Sequence, residues 1–141
     1  MTAVEEALER MDRTIWRGVS LRHPADWELA VVSGPVFPGR LSYVDRRRQR
    51  MDVHWRPYQR TYDLKLILDQ HRPKDKSDAI EVSTARLPSP WQGLVCRANG
   101  QTHLHAVRFL EDVKLLVEIT IIWPEKRQDS IEQEILRSVA H

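Results

Sequence analysis

The chain has 141 residues, of which 41% are hydrophobic and 30% charged, and its formal net charge is only +2. This composition is typical of one globular domain and excludes two full domains. Glu118 and Thr120 interrupt the longest apolar runs, so we expect no membrane-spanning segment. The acidic N-terminus does not resemble a secretory signal, and the single cysteine, Cys96, cannot form an internal disulfide. We therefore expect a cytoplasmic protein.

The first half of the chain predicts a helix, four strands and a second helix. Residues 1–14 form the first predicted helix, because apolar residues recur at helical spacing and Thr2 with Glu5 has the pattern of a capping box. The second helix is predicted from Leu64 to His71, and Pro73 ends it. The four strands between the helices are Val19 to His23, Trp27 to Val32, Arg40 to Val44 and Gln49 to Arg56.

The second half predicts four more strands and a closing helix. The Asn99-Gly100 pair predicts a two-residue hairpin turn, and the closing helix runs from about Ser130 to Val139. The strands are Ala79 to Arg86, Leu94 to Ala98, Thr102 to Leu110 and Lys114 to Trp123. Segregated strands and helices predict one α+β domain over residues 15–141, with helices packed on one face of an antiparallel sheet.

Two segments resemble a known superfamily. The opening GVSLRHPADWELA (residues 18–30) is similar to the first hairpin of the PsbP/Mog-like superfamily. The close, VKLLVEITIIWPEKRQDSIEQEILRSVAH (residues 113–141), is similar to its last long strand and terminal helix. With the order of elements between them, the resemblance covers roughly residues 15–140. It implies an α/β/α-type sandwich, and it implies that the protein binds other proteins without catalysing a reaction.

A stripe of titratable side chains is predicted on one face of the sheet. The Asn99-Gly100 turn places Cys96 opposite His103, and a turn near residue 111 places His105 opposite Glu118. Two imidazoles beside a thiol or carboxylate are ligands for zinc or copper. The alternative is an ordinary solvated sheet face. We expect no cofactor, and we keep a zinc or copper site at His103, His105, Glu118 and Cys96 as the alternative.

Arginine is concentrated in residues 40–60, which hold seven arginines and two aspartates. Alternation in the predicted strand from Gln49 to Arg56 places Met51, Val53 and Trp55 on the apolar face and the arginines on the solvated face. Three interpretations remain: a plain solvated face, a surface for an acidic protein, or a site for single-stranded nucleic acid. The small net charge and the lack of a nucleic-acid-binding motif count against the third. The candidate partner-binding residues are Arg40, Arg46, Arg47, Arg48, Arg50, Arg56 and Trp91.

Trp91 lies in LPSPWQG, where it is either exposed on a loop near the arginines or folded back over the sheet edge. The chain has no phosphate-binding loop, Cys-x-x-Cys pair or nucleophile elbow, which disfavours an enzyme. We therefore predict a non-enzymatic module that binds an acidic protein through the arginine-rich hairpin and the open sheet face. Self-association of the chain remains an alternative.

Overall fold

The computed structural model of the protein describes residues 2–33, 39–46, 48–58, 64–72, 81–98, 100–124 and 126–141. These ranges contain three α-helices and nine strands. The helices are α1 (Ala3–Glu9), α2 (Leu64–Asp69) and α3 (Asp129–Ser138). The strands are β1 (Met11–Trp16), β2 (Val19–Pro24), β3 (Glu28–Ser33), β4 (Gly39–Asp45), β5 (Arg48–Pro57), β6 (Glu81–Ala85), β7 (Gln92–Ala98), β8 (Gln101–Leu110) and β9 (Leu115–Trp123). A single 3-10 turn, Glu111–Val113, lies between β8 and β9.

Seven strands form one sheet in the order β3-β4-β5-β9-β8-β7-β6, and every neighbouring pair is antiparallel. Strands β1 and β2 form a separate antiparallel ribbon. The α+β class and the antiparallel pairing predicted from the sequence are confirmed. Strand β9 lies at the centre of the sheet, because it pairs with β5 on one side and with β8 on the other. Within the described ranges, no helix has the length and apolarity needed to cross a membrane.

The larger core covers one face of the sheet. Met51, Val53 and Trp55 of β5 are buried in it, as their alternation predicts. The apolar stripe of α3 joins the same cluster through Ile131 and Ile135. Each such side chain contributes about 1.5–3 kcal/mol when it is removed from water. Other strand residues of this face are Leu41, Tyr43, Val95, Leu104, Ala106, Val117, Ile119 and Ile121.

A smaller core lies on the opposite face and corrects the prediction that the helices share one face. Ile67 and Leu68 of α2 pack there on Leu94, Val107 and Leu116. The last two strand residues are fully buried. They lie on the face that the sequence interpretation assigned to solvent, and their apolar surface requires a cover. Helix α2 provides it, so the sheet has helices on both faces.

The predicted helix over residues 1–14 is wrong in its second half. Thr2 and Glu5 form the predicted capping box, with each side chain accepting a hydrogen bond from the backbone N–H of the other residue at 3.1–3.2 Å. Helix α1 nevertheless ends at Glu9, and β1 begins at Met11. The cause is the tight turn at Arg17 and Gly18, both at positive φ (50° and 87°), which pairs β1 with β2. The closing helix lies within one residue of its predicted bounds.

Candidate functional site

A β-bulge separates Arg50 from the other arginines of the hairpin. Tyr43 pairs with Met51 and Val44 pairs with Gln49, which leaves Arg50 as the extra residue of β5. A bulge redirects the side chain of its extra residue. Arg50 therefore does not lie on the predicted solvated ridge, and its side chain is only 11% exposed.

The Arg50 guanidinium lies over two indole rings. Its central carbon is 5.0 Å from the ring centroid of Trp27 and 5.2 Å from that of Trp123. Its Nη1 forms an ion pair of 3.3 Å with Asp45. Such a planar cation stacked on aromatic rings and paired with a carboxylate is held in place. Arg50 is thus a structural group at the end of the sheet.

Two other arginines of the segment are paired on the sheet surface. Arg40 Nη2 lies 3.1 Å from Asp52 Oδ1. Arg56 Nη2 lies 3.8 Å from Glu118 Oε1, and the Arg56 guanidinium lies 5.3 Å from the Tyr58 ring centroid. Both cations already have an anionic neighbour in the fold. Arg47, also predicted as a binding residue, lies outside the described residues.

Arg46 and Arg48 differ from these arginines because neither forms an ion pair within the part of the chain that the structure describes. Both side chains are exposed. Lys126, in the connection from β9 to α3, is likewise exposed and has no ion pair with any described residue. The three side chains line one cleft of about 910 Å³. We call it the cationic cleft, and its lining residues are Ala25, Asp26, Glu28, Val44, Asp45, Arg46, Arg48, Arg50, Trp123, Pro124, Lys126 and Gln128.

A buried carboxylate holds one wall of the cationic cleft in place. Glu132 of α3 is fully buried, and its Oε2 accepts a 2.6 Å hydrogen bond from Nε1 of Trp123. Its Oε1 accepts a 2.8 Å hydrogen bond from Nε of Arg127. Burial raises the pKa of Glu132 above its ordinary value, against the effect of Arg127. The sequence interpretation missed this group, although Glu132 lies between Ile131 and Ile135 within the apolar arc of the predicted helix.

The stripe of titratable side chains forms on the face covered by α2. Cys96 lies opposite His103, as predicted, because the turn between Ala98 and Gln101 has two residues. Asn99 itself lies outside the described residues. The second turn has four residues, Glu111 to Lys114, so His105 lies opposite Thr120 and not opposite Glu118. A register shift of two residues leaves every side chain on its predicted face.

His105 is surrounded by other polar rings. Its Nδ1 lies 3.1 Å from Thr120 Oγ1, and its ring stacks on that of His71 with centroids 4.8 Å apart. The His103 ring centroid is 6.2 Å away. Burial, with the neighbouring His71 and His103, lowers the pKa of His105 to about 4. The ring is therefore neutral at neutral pH.

Glu118 contacts His71 and Arg56, and not His105 as the sequence predicts. Its Oε1 lies 3.7 Å from His71 Nε2 and 3.8 Å from Arg56 Nη2. The interaction with His71 and the nearby Arg56 hold the pKa of Glu118 below its ordinary value, although burial opposes them. In the sequence, His71 continues the helical spacing of Leu64, Ile67 and Leu68, and this spacing predicts that it faces the sheet. We call His71, His103, His105 and Glu118 the histidine face.

The residues of the predicted metal site do not converge on one point. His105 contacts Thr120, Glu118 contacts His71 and Arg56, and burial raises the pKa of the Cys96 thiol. Among the described residues, no three or more His, Cys, Asp or Glu side chains are arranged to hold a metal ion. The protonated thiol also disfavours a nucleophilic Cys96.

Of the two placements predicted for Trp91, exposed on a loop or folded back over the sheet edge, the structure shows the buried one. Its side chain is 5% exposed, and its Nε1 donates a 2.9 Å hydrogen bond to the carbonyl oxygen of Leu136 in α3. The indole therefore ties the start of β7 to the closing helix. Trp91 is not available as an aromatic contact for a partner, and we remove it from the candidate binding surface.

The chain matches no protein-family model, and no curated protein is significantly similar to it.

Proposed function

We propose that the protein is a non-enzymatic binding module that engages an acidic surface of a partner protein through the cationic cleft. The observation that carries the proposal is the position of Arg46, Arg48 and Lys126 around one cleft. These three exposed cations have no ion pair with any described residue. The arginines of the same segment with a counter-charge inside the fold are Arg40, Arg50 and Arg56.

The chemistry of the cleft suits carboxylates. Each guanidinium presents a planar fork of donors that matches the two oxygens of a carboxylate, and a cluster of such charges raises the rate of encounter with an acidic protein. The wall formed by Arg50 and Trp123 is held by stacking and hydrogen bonding, so ligand binding there orders few side chains. Three carboxylates, Asp26, Glu28 and Asp45, line the same cleft against its four cations, and Asp45 is already paired with Arg50.

The resemblance to the PsbP/Mog-like superfamily supports binding over catalysis. We propose that the domain is a sandwich of this type, since helices cover both faces of its antiparallel sheet. Members of such a superfamily share a fold and no common reaction, so the resemblance does not identify the partner. We further propose that the protein acts in the cytoplasm.

Capture from a nuclease-treated lysate of the native source, at low and moderate salt, tests the proposal. We compare the unaltered protein with the double variant Arg46→Glu/Arg48→Glu. The control is Lys114→Glu/Arg137→Glu, which makes the same change in charge away from the cleft. We expect a stoichiometric, salt-sensitive protein partner that the cleft variant loses and the control retains. Equal capture by all three proteins, or capture by none, would overturn the proposal.

A further inference from the structure

Strand β3 is an edge of the sheet and presents apolar side chains to solvent. It pairs with β4 on one side, and no other described strand pairs with it. Leu29 is 41% exposed and Val32 is 39% exposed. These are two of only five large hydrophobic residues with exposed side chains in the described ranges. An unpaired strand edge with apolar side chains is a template for another extended segment.

The N-terminal end of the free edge, at Glu28, lies at the cationic cleft. In the antiparallel pairing of β3 with β4, Glu28 lies opposite Val44. Both residues line the cleft, next to Arg46. A strand added to β3 in the antiparallel sense used throughout this sheet would run from Ser33 towards Glu28. Its C-terminal end would therefore reach the cationic cleft.

From this placement we infer that the partner contributes an extended segment that adds to β3 as an antiparallel strand. Its apolar residues contact Leu29 and Val32, and acidic residues that follow them bind Arg46 and Arg48. This inference rests on the proposed function and specifies the order of residues in the ligand. The bulge between Leu29 and Val31 twists the edge and favours a short added strand over a long one.

A second copy of this chain does not fit the same surface. If two β3 strands paired antiparallel, Ser33 of one copy would lie near Glu28 of the other. The sequence that follows Ser33 is Gly-Pro-Val-Phe-Pro (34–38), which includes no carboxylate. Pairing with a second copy would therefore supply no carboxylate to Arg46, Arg48 and Lys126, whereas an acidic partner segment supplies one.

The order of residues is tested with three labelled peptides of the same composition, amidated at the C-terminus. The first is Thr-Val-Thr-Val-Thr-Glu-Glu-Glu, the second has the reversed order, and the third is the first with N-methylated amides in its apolar half. N-methylation removes the backbone donors and leaves charge and side chains in place. We expect the first peptide to bind at least about tenfold more tightly than the other two in fluorescence anisotropy at low salt. It should also slow hydrogen exchange of the β3 amides.

Two variants separate failure of strand addition from failure of the proposed function. Leu29→Asn/Val32→Asn removes the edge contacts without changing charge, and Ile15→Asn/Leu66→Asn is its control at two other exposed positions. We expect the first variant to lose about tenfold in affinity for the first peptide and the control to lose none. Tight binding of all three peptides that only Arg46→Glu/Arg48→Glu abolishes would overturn strand addition and leave the proposed function intact. If Arg46→Glu/Arg48→Glu binds the peptides as tightly as the unaltered protein does, or if no peptide binds at all, both strand addition and the proposed function are overturned.

Discussion

The cationic cleft and the histidine face both contain titratable side chains beside one sheet, yet their electrostatics differ. On the histidine face each group meets another within the fold: His71 stacks on His105, and Glu118 lies between His71 and Arg56. At the cleft, Arg46 and Arg48 form no ion pair with any described residue. A group whose charge is satisfied internally contributes to stability, whereas one that is not is available to a ligand. Counting charges in the sequence does not separate these cases.

The largest expected effect concerns the buried carboxylate beside the cleft. Arg127→Ala leaves Glu132 without its cation, and we expect it to lower the free energy of unfolding by about 3 kcal/mol. Urea denaturation at neutral pH measures the loss. Arg137→Ala, at an exposed position of helix α3, is the control, with an expected change below about 0.5 kcal/mol. A loss of unfolding free energy no larger than that of the control would show that the ion pair between Arg127 and Glu132 does not stabilise the fold.

A smaller effect separates two arginines that lie two positions apart. Arg50→Ala removes a cation stacked on Trp27 and Trp123, and we expect it to cost about 2 kcal/mol of stability. Arg48→Ala removes an exposed side chain and should cost less than about 0.5 kcal/mol. Thermal unfolding by circular dichroism compares the two variants. Similar melting temperatures would contradict the division between structural and available arginines.

The smallest effect is the pH dependence contributed by the histidine face. The ordinary pKa of histidine is 6.5, and that of His105 in the fold is about 4. Between these values the unfolded chain binds more protons, so the free energy of unfolding falls as the pH is lowered. We expect a loss of about 1.5 kcal/mol from pH 7 to pH 4.5, after allowance for the exposed part of the ring.

The variant His105→Gln isolates this contribution. Glu132 acts in the opposite sense, because a carboxyl with a raised pKa stabilises the fold at low pH and loses that effect as the pH rises. Urea denaturation between pH 4.5 and pH 7 should therefore give a flatter stability profile for His105→Gln. An unchanged profile in His105→Gln would assign the pH dependence to other groups.

Much of the fold follows from local patterns in the sequence. Alternation places Met51, Val53 and Trp55 in the core, and a two-residue turn places Cys96 opposite His103. These predictions hold because side chains alternate between faces every residue, so a register shift of two residues changes the cross-strand partner without changing the face. The shift of His105 from Glu118 to Thr120 is an error of this kind.

Two of the predictions that fail depend on segments far apart in the chain. Arg50 lies over Trp27 and Trp123, which belong to opposite ends of the sequence, and the bulge that directs it there has no local signal. Helix α2 covers Leu116 because that face needs an apolar cover, a requirement set by tertiary packing. The cleft was found only in part, since the sequence identified the arginines without showing which of them are paired.

The two helices that cover the sheet differ in how many of their residues are buried. Helix α3 buries four of its residues, whereas α2 buries only Ile67 and Leu68. Detaching α2 therefore requires less free energy than unfolding the whole domain. We expect the backbone amide hydrogens of α2 to exchange with solvent through local opening. The rate of this exchange should depend only weakly on the concentration of denaturant. In each such opening Val107 and Leu116, near the centre of the sheet, are briefly exposed to water, and the histidine face with them.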